Sequence, residues 1–534
     1  MKLPAAVCAL LLVAAPSAQA FEPSQALIRG HMQFLASDLL QGREAGTQGY
    51  DIAASYVAAE FAKLGLKPAG DPGSFLQRVP LTTFRPANEG SIVLRGANGA
   101  AVPLTFGKDY IPGANPARPS IELEAPLVFA GYGVVAPQSR RDDYAKLDVR
   151  GKIVVVLQGA PSGLQTEESA HFRSTRVKRL EAEKRGALGV IFVDTPERER
   201  VYPFAQRAAH WRNQSMIWSG SDGKPFAPAS SAPELGLISL EGARELFAGA
   251  PATFDQIVAA AESKAGDPPR FALPLRAAVR QQTESATTVS ANVAGMIEGQ
   301  RADEVVVLSA HLDAVGGAED RTGDQIGNGA MDNATGIATM LEVGRAFKES
   351  GKKPLRSVLL LAVTAEEKGL VGADYFARNP TVPKRSLVAN VNLDMPILSY
   401  DFTDVVAFGA ERSTIGPLVQ RAAARMGVKL SPDPLPEQGL FTRSDHYRFV
   451  EAGVPSVFLM TGHANGGAAA WDAFLKERYH KPSDDMDQPI NWTAAVRFAR
   501  VNYEIARELA NAPQRPRWNR GDFFGDLFGA RGGG

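Results

Sequence analysis

Only one cysteine occurs in the 534 residues, Cys8, and it falls in a segment that reads as a removable leader. What remains has no thiol, which excludes disulfides, a cysteine nucleophile and thiolate metal sites. An excess of one charge is also missing. Lys plus Arg number 58 and Asp plus Glu number 58, so no overall field gathers nucleic acid or an anionic membrane surface. No apolar run approaches the roughly 20 residues needed to span a bilayer, and there is no solenoid-type repeat. Any metal must therefore be held by His, Asp and Glu.

The first 20 residues combine Lys2, a short apolar run ending at Ala15, and Ala18-Gln19-Ala20. This is the pattern of a secretory signal peptide. The expected product is exported, periplasmic or secreted, with no membrane anchor after cleavage. The length suits about three domains. The expected layout is a signal peptide at 1–20, an N-terminal part of the main domain at 21–119, an inserted mixed module at 120–275, the main domain at 276–512, and a disordered Arg/Gly/Pro-rich tail at 513–534.

Helical spacing between Ile28 and Leu66 predicts two opening helices. From about 120 to 275 short strands dominate, among them Lys152 to Leu157 and Gly189 to Val193, with a charged helix at 172–185. After the polar stretch Gln281 to Ser290, compact apolar strands at 305–309, 357–363, 387–393 and 456–460 alternate with helical patterns at 334–349, 370–378, 414–426 and 493–511. Strands apolar on both faces with helices between them predict an α/β fold, a three-layer α/β/α sandwich around a mostly parallel central sheet.

In such sheets the chemistry gathers where strands end at their C-terminal side. Those ends are unusually polar here. One strand runs into His311-Leu312-Asp313, another into Thr364-Ala365-Glu366-Glu367, and a third into Asp394. Met331-Asp332-Asn333-Ala334-Thr335-Gly336 opens a helix, and Ser444-Asp445-His446 and His480-Lys481-Pro482-Ser483-Asp484 follow later. Singly, each has an ordinary explanation: Asp332 caps its helix, Glu366 and Glu367 sit at the positive end of a helix dipole, and His311 is a hydrogen-bonded core histidine. Taken together they do not, because several carboxylates at one sheet edge repel unless cations compensate them.

Two imidazoles and three carboxylates suffice for a pair of Zn²⁺ ions, with Co²⁺ or Mn²⁺ as alternatives. One carboxylate must then bridge ions roughly 3.5–4 Å apart. His311 and Asp313 share a face of extended backbone, so the Asp313 carboxylate is expected to accept the free ring N–H of His311.

The ordered set His311-x-Asp313, Asp332 to Gly336, Glu366-Glu367, Asp394 and His480 to Asp484 resembles the co-catalytic di-zinc peptidases that include bacterial leucyl aminopeptidases and glutamate carboxypeptidase II. The resemblance spans about 285 to 510. It implies a zinc-exopeptidase-like fold, peptide substrates and two Zn²⁺ per chain. It further implies that Asp332 bridges, His311 and Asp394 complete one site, and Glu367 and His480 the other. Glu366 then serves as general base, taking a proton from the attacking water and returning it to the leaving amine. Asp148 to Leu157 and Lys184 to Phe192 resemble the protease-associated domain often inserted in this family, read here as a lid or a passive insertion.

His446 and His463 compete with His480 for the ligand role, and the His480-Lys-Pro-Ser-Asp match favours His480. Asp445 and His446 are then expected to contact substrate or its oxyanion. An aminopeptidase is the leading expectation. A carboxypeptidase needs a cation for the substrate carboxylate, for which Arg443 and Lys481 are candidates. A glutaminyl cyclase would use one zinc, and a binding protein on an inactive peptidase scaffold would not need Glu366.

Overall fold

Phe271–Ile297 is a single strand of 27 residues that belongs to two sheets. The polar run inside it looks like a linker, yet from Leu273 to Thr283 alternate residues are buried, the period-2 pattern of a half-buried strand. Beyond Ser290 both of its faces are covered. The computed structural model describes residues 21–263, 266–317 and 323–529. The expected leader, with Cys8, and residues 530–534 lie outside the described residues.

The C-terminal half of the long strand enters the main sheet. Its neighbours on one side are Leu76–Pro86 and then Ser215–Trp218, both antiparallel. On the other side follow Arg356–Val363, Arg301–His311, Leu387–Leu393 and Ser456–Thr461, parallel to one another. Asp404–Phe408, antiparallel to Ser456–Thr461, and Lys429–Ser431 close that edge. The centre of the sheet is thus parallel, as expected.

Its two faces bury different sets. Val306, Leu308 and Ala310 share one core with residues of the helices Gln25–Leu35, Thr335–Glu349 and Trp492–Asn511. Val305, Val307, Leu359 and Leu361 share another with Phe376 and Phe449. Each buried Val, Leu or Phe removes enough apolar surface to contribute about 1.5–3 kcal/mol. Helices on both faces make the three-layer sandwich.

The N-terminal half of the long strand pairs with Ser91–Gly96 on one side and Ser120–Phe129 on the other. Ile153–Leu157, Gly189–Val193 and Glu234–Ile238 extend this second sheet in parallel. Ser91–Gly96, which precedes the boundary expected at 120, pairs with the same long strand as Ser120–Phe129. The single charged helix expected at 172–185 is two, Thr166–Arg173 and Thr175–Lys184, divided at Ser174, whose hydroxyl caps the second.

The expected disorder from 513 onward is not found in the described part of that segment. The Trp518 indole donates to the Gly453 carbonyl at 2.9 Å, and Phe523–Phe528 forms a short helix capped by the Asp522 carboxylate. Its Phe523, Phe524 and Phe528 are buried. The Arg, Gly and Pro content masked a cluster of aromatic anchors, which supply enough apolar surface to hold the segment. Among the described residues no helix is long and apolar enough to cross a membrane.

Candidate metal centre

Three neighbouring parallel strands deliver their C-terminal ends to one edge. His311 is the last residue of Arg301–His311, Asp394 follows Leu387–Leu393, and the Glu366-Glu367 pair follows Arg356–Val363. Ala365, at φ 53°, turns the chain sharply before the pair. Asp332 precedes the helix Thr335–Glu349, and His480 lies beyond Gly467–Glu477.

The side chains converge on Asp332. The Nε2 of His311 lies 3.1 Å from one Asp332 oxygen and 3.1 Å from Asp394 Oδ1. The Nε2 of His480 lies 3.4 Å from the other Asp332 oxygen and 3.1 Å from Glu367 Oε2. Two three-residue groups with metal-ligand spacing, His311–Asp332–Asp394 and Asp332–Glu367–His480, therefore share Asp332. His311, Glu366 and Glu367 make a third grouping of similar size. His480 is the open member, its side chain 40 % exposed where that of His311 is 1 %.

Carboxylates crowd the two imidazoles and shift the pKa of both upward. Burial disfavours charge on His311, but Asp394, Glu366 and Asp332 together keep its pKa well above the usual imidazole value. His480, against the same penalty, is raised to about 10 by Glu367 and Asp332. Glu366 is pushed well above the carboxylate range by burial, with Asp394 and Asp445 adding repulsion. Glu367 Oε1 is buried with no hydrogen-bond partner. An anion-rich cluster with two imidazoles at ligand spacing and a buried carboxylate oxygen left without a partner fits divalent cations.

Asp313 does not do what its spacing suggests. His311 Nδ1 meets the backbone carbonyl of Asp313 at 3.1 Å, not its carboxylate. The carboxylate instead accepts the backbone N–H groups of Glu366 at 3.0 Å and Glu367 at 3.2 Å. The strand ends at His311, and the Asp313 side chain reaches the neighbouring strand end. Asp313 is thus the anchor of the Glu366-Glu367 turn.

Other supports are not evident from spacing. The Asp484 carboxylate accepts the N–H groups of Met331 at 2.8 Å and Asp332 at 3.0 Å, which fixes the loop bearing Asp332. Burial raises its pKa to about 6. The Ser444 hydroxyl donates to the Asp394 oxygen that His311 leaves free. Arg43, fully buried, donates only to carbonyls, those of Leu35, Leu312, Asn328 and Gly329. It ties the two loops that carry His311 and Asp332 to the N-terminal segment. Asp484 closes a quoted motif and was legible as such, whereas Arg43 has no local signal.

A cavity of 40 Å³ opens onto Asp332, Glu366, Asp394 and His480, and Leu440, Phe458 and Met460 form its apolar wall. Arg443 and Tyr479 complete it, with the guanidinium 3.2 Å from the phenol oxygen. Asp445 and His446 do not line it. Both are completely buried, and the His446 ring packs against Phe441 and Phe458 at 5.1 and 5.2 Å between centroids. Burial holds its pKa down at about 3, so it is a neutral packing residue. The expectation that it contacts substrate fails because Ser444, not His446, turns towards the site. His463 stacks edge-on against Trp471, and Lys481 caps the Lys476 carbonyl.

Residues 292–506 match the family model described as peptidase family M28. Leupeptin-inactivating enzyme 1 of Streptomyces exfoliatus is 29 % identical over 227 residues, 40 % of this chain and 47 % of that protein. Aminopeptidase YwaD of Bacillus subtilis (strain 168) is 28 % identical over 190 residues, 34 % of this chain and 36 % of that one. The chain spans about half or less of the length of the curated relatives it matches. Among solved structures, the aminopeptidase from Aneurinibacillus sp. strain AM-1 superposes with a TM-score of 0.51 at 19 % identity, over 92 % of this chain and 95 % of that chain. That likeness establishes the fold.

Proposed function

We propose that the protein, whose residues 292–506 match the model of peptidase family M28, is an exported zinc aminopeptidase that removes the N-terminal residue of peptides. The observation that carries the reading is the sharing of Asp332, each of whose oxygens faces a different imidazole. That arrangement suits two zinc ions, one held by His311, Asp332 and Asp394, the other by Asp332, Glu367 and His480. A single-zinc cyclase would leave one of these groups without a purpose.

Cations held there would acidify water and polarise a carbonyl oxygen. Glu366 faces the same cavity and makes no ion pair with an imidazole among the described residues, unlike Asp332, Asp394 and Glu367, so it acts as general base and then proton donor to the leaving amine. Asp313 sets its position through the backbone. Leu440, Phe458 and Met460 offer an apolar face beside the site for a terminal side chain, and the carboxylates there attract an α-ammonium group. The relatives named as aminopeptidases support the same choice. Export is supported by the leader pattern in residues 1–20, and N-terminal sequencing of the exported product tests it.

Arg443 favours a second reading, a carboxypeptidase, because its guanidinium stands at the cavity with no carboxylate partner among the described residues. One assay separates the two. Leucyl anilide, its N-acetyl form and a C-terminally free blocked peptide are compared before and after chelation, with metal analysis. Turnover of the free-amine substrate alone, two zinc ions per chain and loss on chelation support the aminopeptidase; turnover of the blocked peptide alone supports the carboxypeptidase.

A further inference from the structure

A second cavity, of 290 Å³, lies between the inserted module and the main domain, and its charge is lopsided. Arg173, Lys178 and Arg198 face it from the module, Arg443 and Arg448 from the main domain, and Glu437 is the one acid in its lining. Arg173 and Arg448 are committed to Glu197 and Glu451. The other three cations have no carboxylate within ion-pair distance among the described residues. Lys178 is only 1 % exposed and donates to two carbonyls, Leu157 and Gly159, at 2.7 Å each. A buried ammonium with only neutral partners is costly, and burial holds its pKa down at about 7. A bound anion would remove that penalty.

Arg443 also lines the cavity at the metal centre, so the two spaces meet at one guanidinium. We propose that the cationic pocket is a substrate subsite that takes a carboxylate of the peptide beyond the bond being cut. The inference builds on the peptidase reading above and names its substrate class: short peptides that present an anion close to the scissile bond. The carboxylate comes either from the C-terminus of a di- or tripeptide or from an acidic side chain. Arginines at such a site recognise a carboxylate by paired, charge-assisted hydrogen bonds.

The test compares kcat/KM for Leu-Ala, Leu-Ala-amide and Leu-Asp-amide in the metal-loaded full chain and in Arg198→Gln. Ratios are read within each variant, so losses of folding or loading cancel. Lys224→Gln, an equal change of charge at a side chain 83 % exposed and outside the pocket's lining, is the control. We expect the acid to be preferred over the amide by about tenfold or more, with the preference collapsing towards unity in Arg198→Gln and persisting in the control. A preference for Leu-Asp-amide alone assigns the carboxylate to a side chain. Equal rates for all three substrates, or an unchanged ratio in Arg198→Gln, would overturn the proposal. Calorimetric titration with N-acetyl-alanine and its amide gives a reading independent of turnover. If no aminoacyl substrate is cleaved yet the acid binds through Arg198, the peptidase reading fails and the pocket stands; if cleavage proceeds without preference and without such binding, the pocket fails alone.

Discussion

Asp313→Asn separates two accounts of the metal centre. Asp313 is 1 % exposed, and its two oxygens take the N–H groups of Glu366 and Glu367. Asparagine keeps one acceptor oxygen and turns an NH₂ towards the other N–H, so one bond is lost and two donors face each other. A hydrogen bond to a charged acceptor contributes about 1.5–3 kcal/mol. If that loss falls on the placement of Glu366 in the transition state, kcat drops roughly 10- to 150-fold. Metal content should hold, because the contact to the His311 ring comes from the Asp313 carbonyl, which the substitution leaves in place.

The assay is steady-state hydrolysis of a leucyl anilide with metal analysis on the same preparation. The spacing-based expectation gives the opposite pattern: if the carboxylate oriented His311, the variant would lose metal while each loaded site kept its turnover. That result would refute the backbone-anchor account.

Glu366→Gln should lower turnover by about 10²–10⁴-fold with both metals retained, whereas Glu367→Gln should lower metal occupancy along with rate; the same kinetics and metal analysis decide, and the reverse pattern exchanges the two roles. His446→Phe should leave kcat within a few-fold, since the ring is neutral and packed between Phe441 and Phe458; a large loss of kcat with unchanged thermal stability would restore it to the chemistry. Phe524→Ala should destabilise the fold by about 3–5 kcal/mol, because the side chain is completely buried, and denaturant unfolding will measure it.

The parallel strands were legible because each is an apolar run bounded by polar residues, and Gly189–Val193 and Leu387–Leu393 fall where the sequence places them. The long strand was not, since a half-buried strand in polar company resembles a linker until its pairing is known. The five residues of the metal centre could be found because ligands must have particular chemistry at strand ends, and the structure brings them within hydrogen-bonding distance of one another. Their supports depend on direction instead. Nothing in His311-Leu312-Asp313 states that the Asp313 carboxylate will meet two backbone N–H groups of the next strand end, and nothing near Arg43 reveals that its guanidinium will meet four carbonyls. The placement of His446 was misread for the same reason, as adjacency in sequence was taken for adjacency in space.

The second sheet, built on the N-terminal half of the long strand, is tied to the main sheet's layer by a cluster of contacts. Arg412 of the main domain binds Glu167 and Glu168 of the module and Asp522 of the C-terminal segment. The Glu167 carboxylate also accepts the Gly409 N–H at 2.7 Å. Beside this cluster His171 bonds the Tyr447 hydroxyl and meets the rings of Phe523, Phe524 and Phe528. A lid that swings freely would expose these aromatic faces and strand Arg412 among separated carboxylates at each opening, a loss of several charge-assisted bonds and about 1.5–3 kcal/mol for each large apolar side chain uncovered. These contacts oppose such a swing, and the helix Phe523–Phe528 contributes to them through its three buried rings. Across the same contact Arg173, Lys178 and Arg198 line one pocket with Arg443 and Arg448, so an anion taken up there would meet cations already assembled, which lowers the ordering cost of binding.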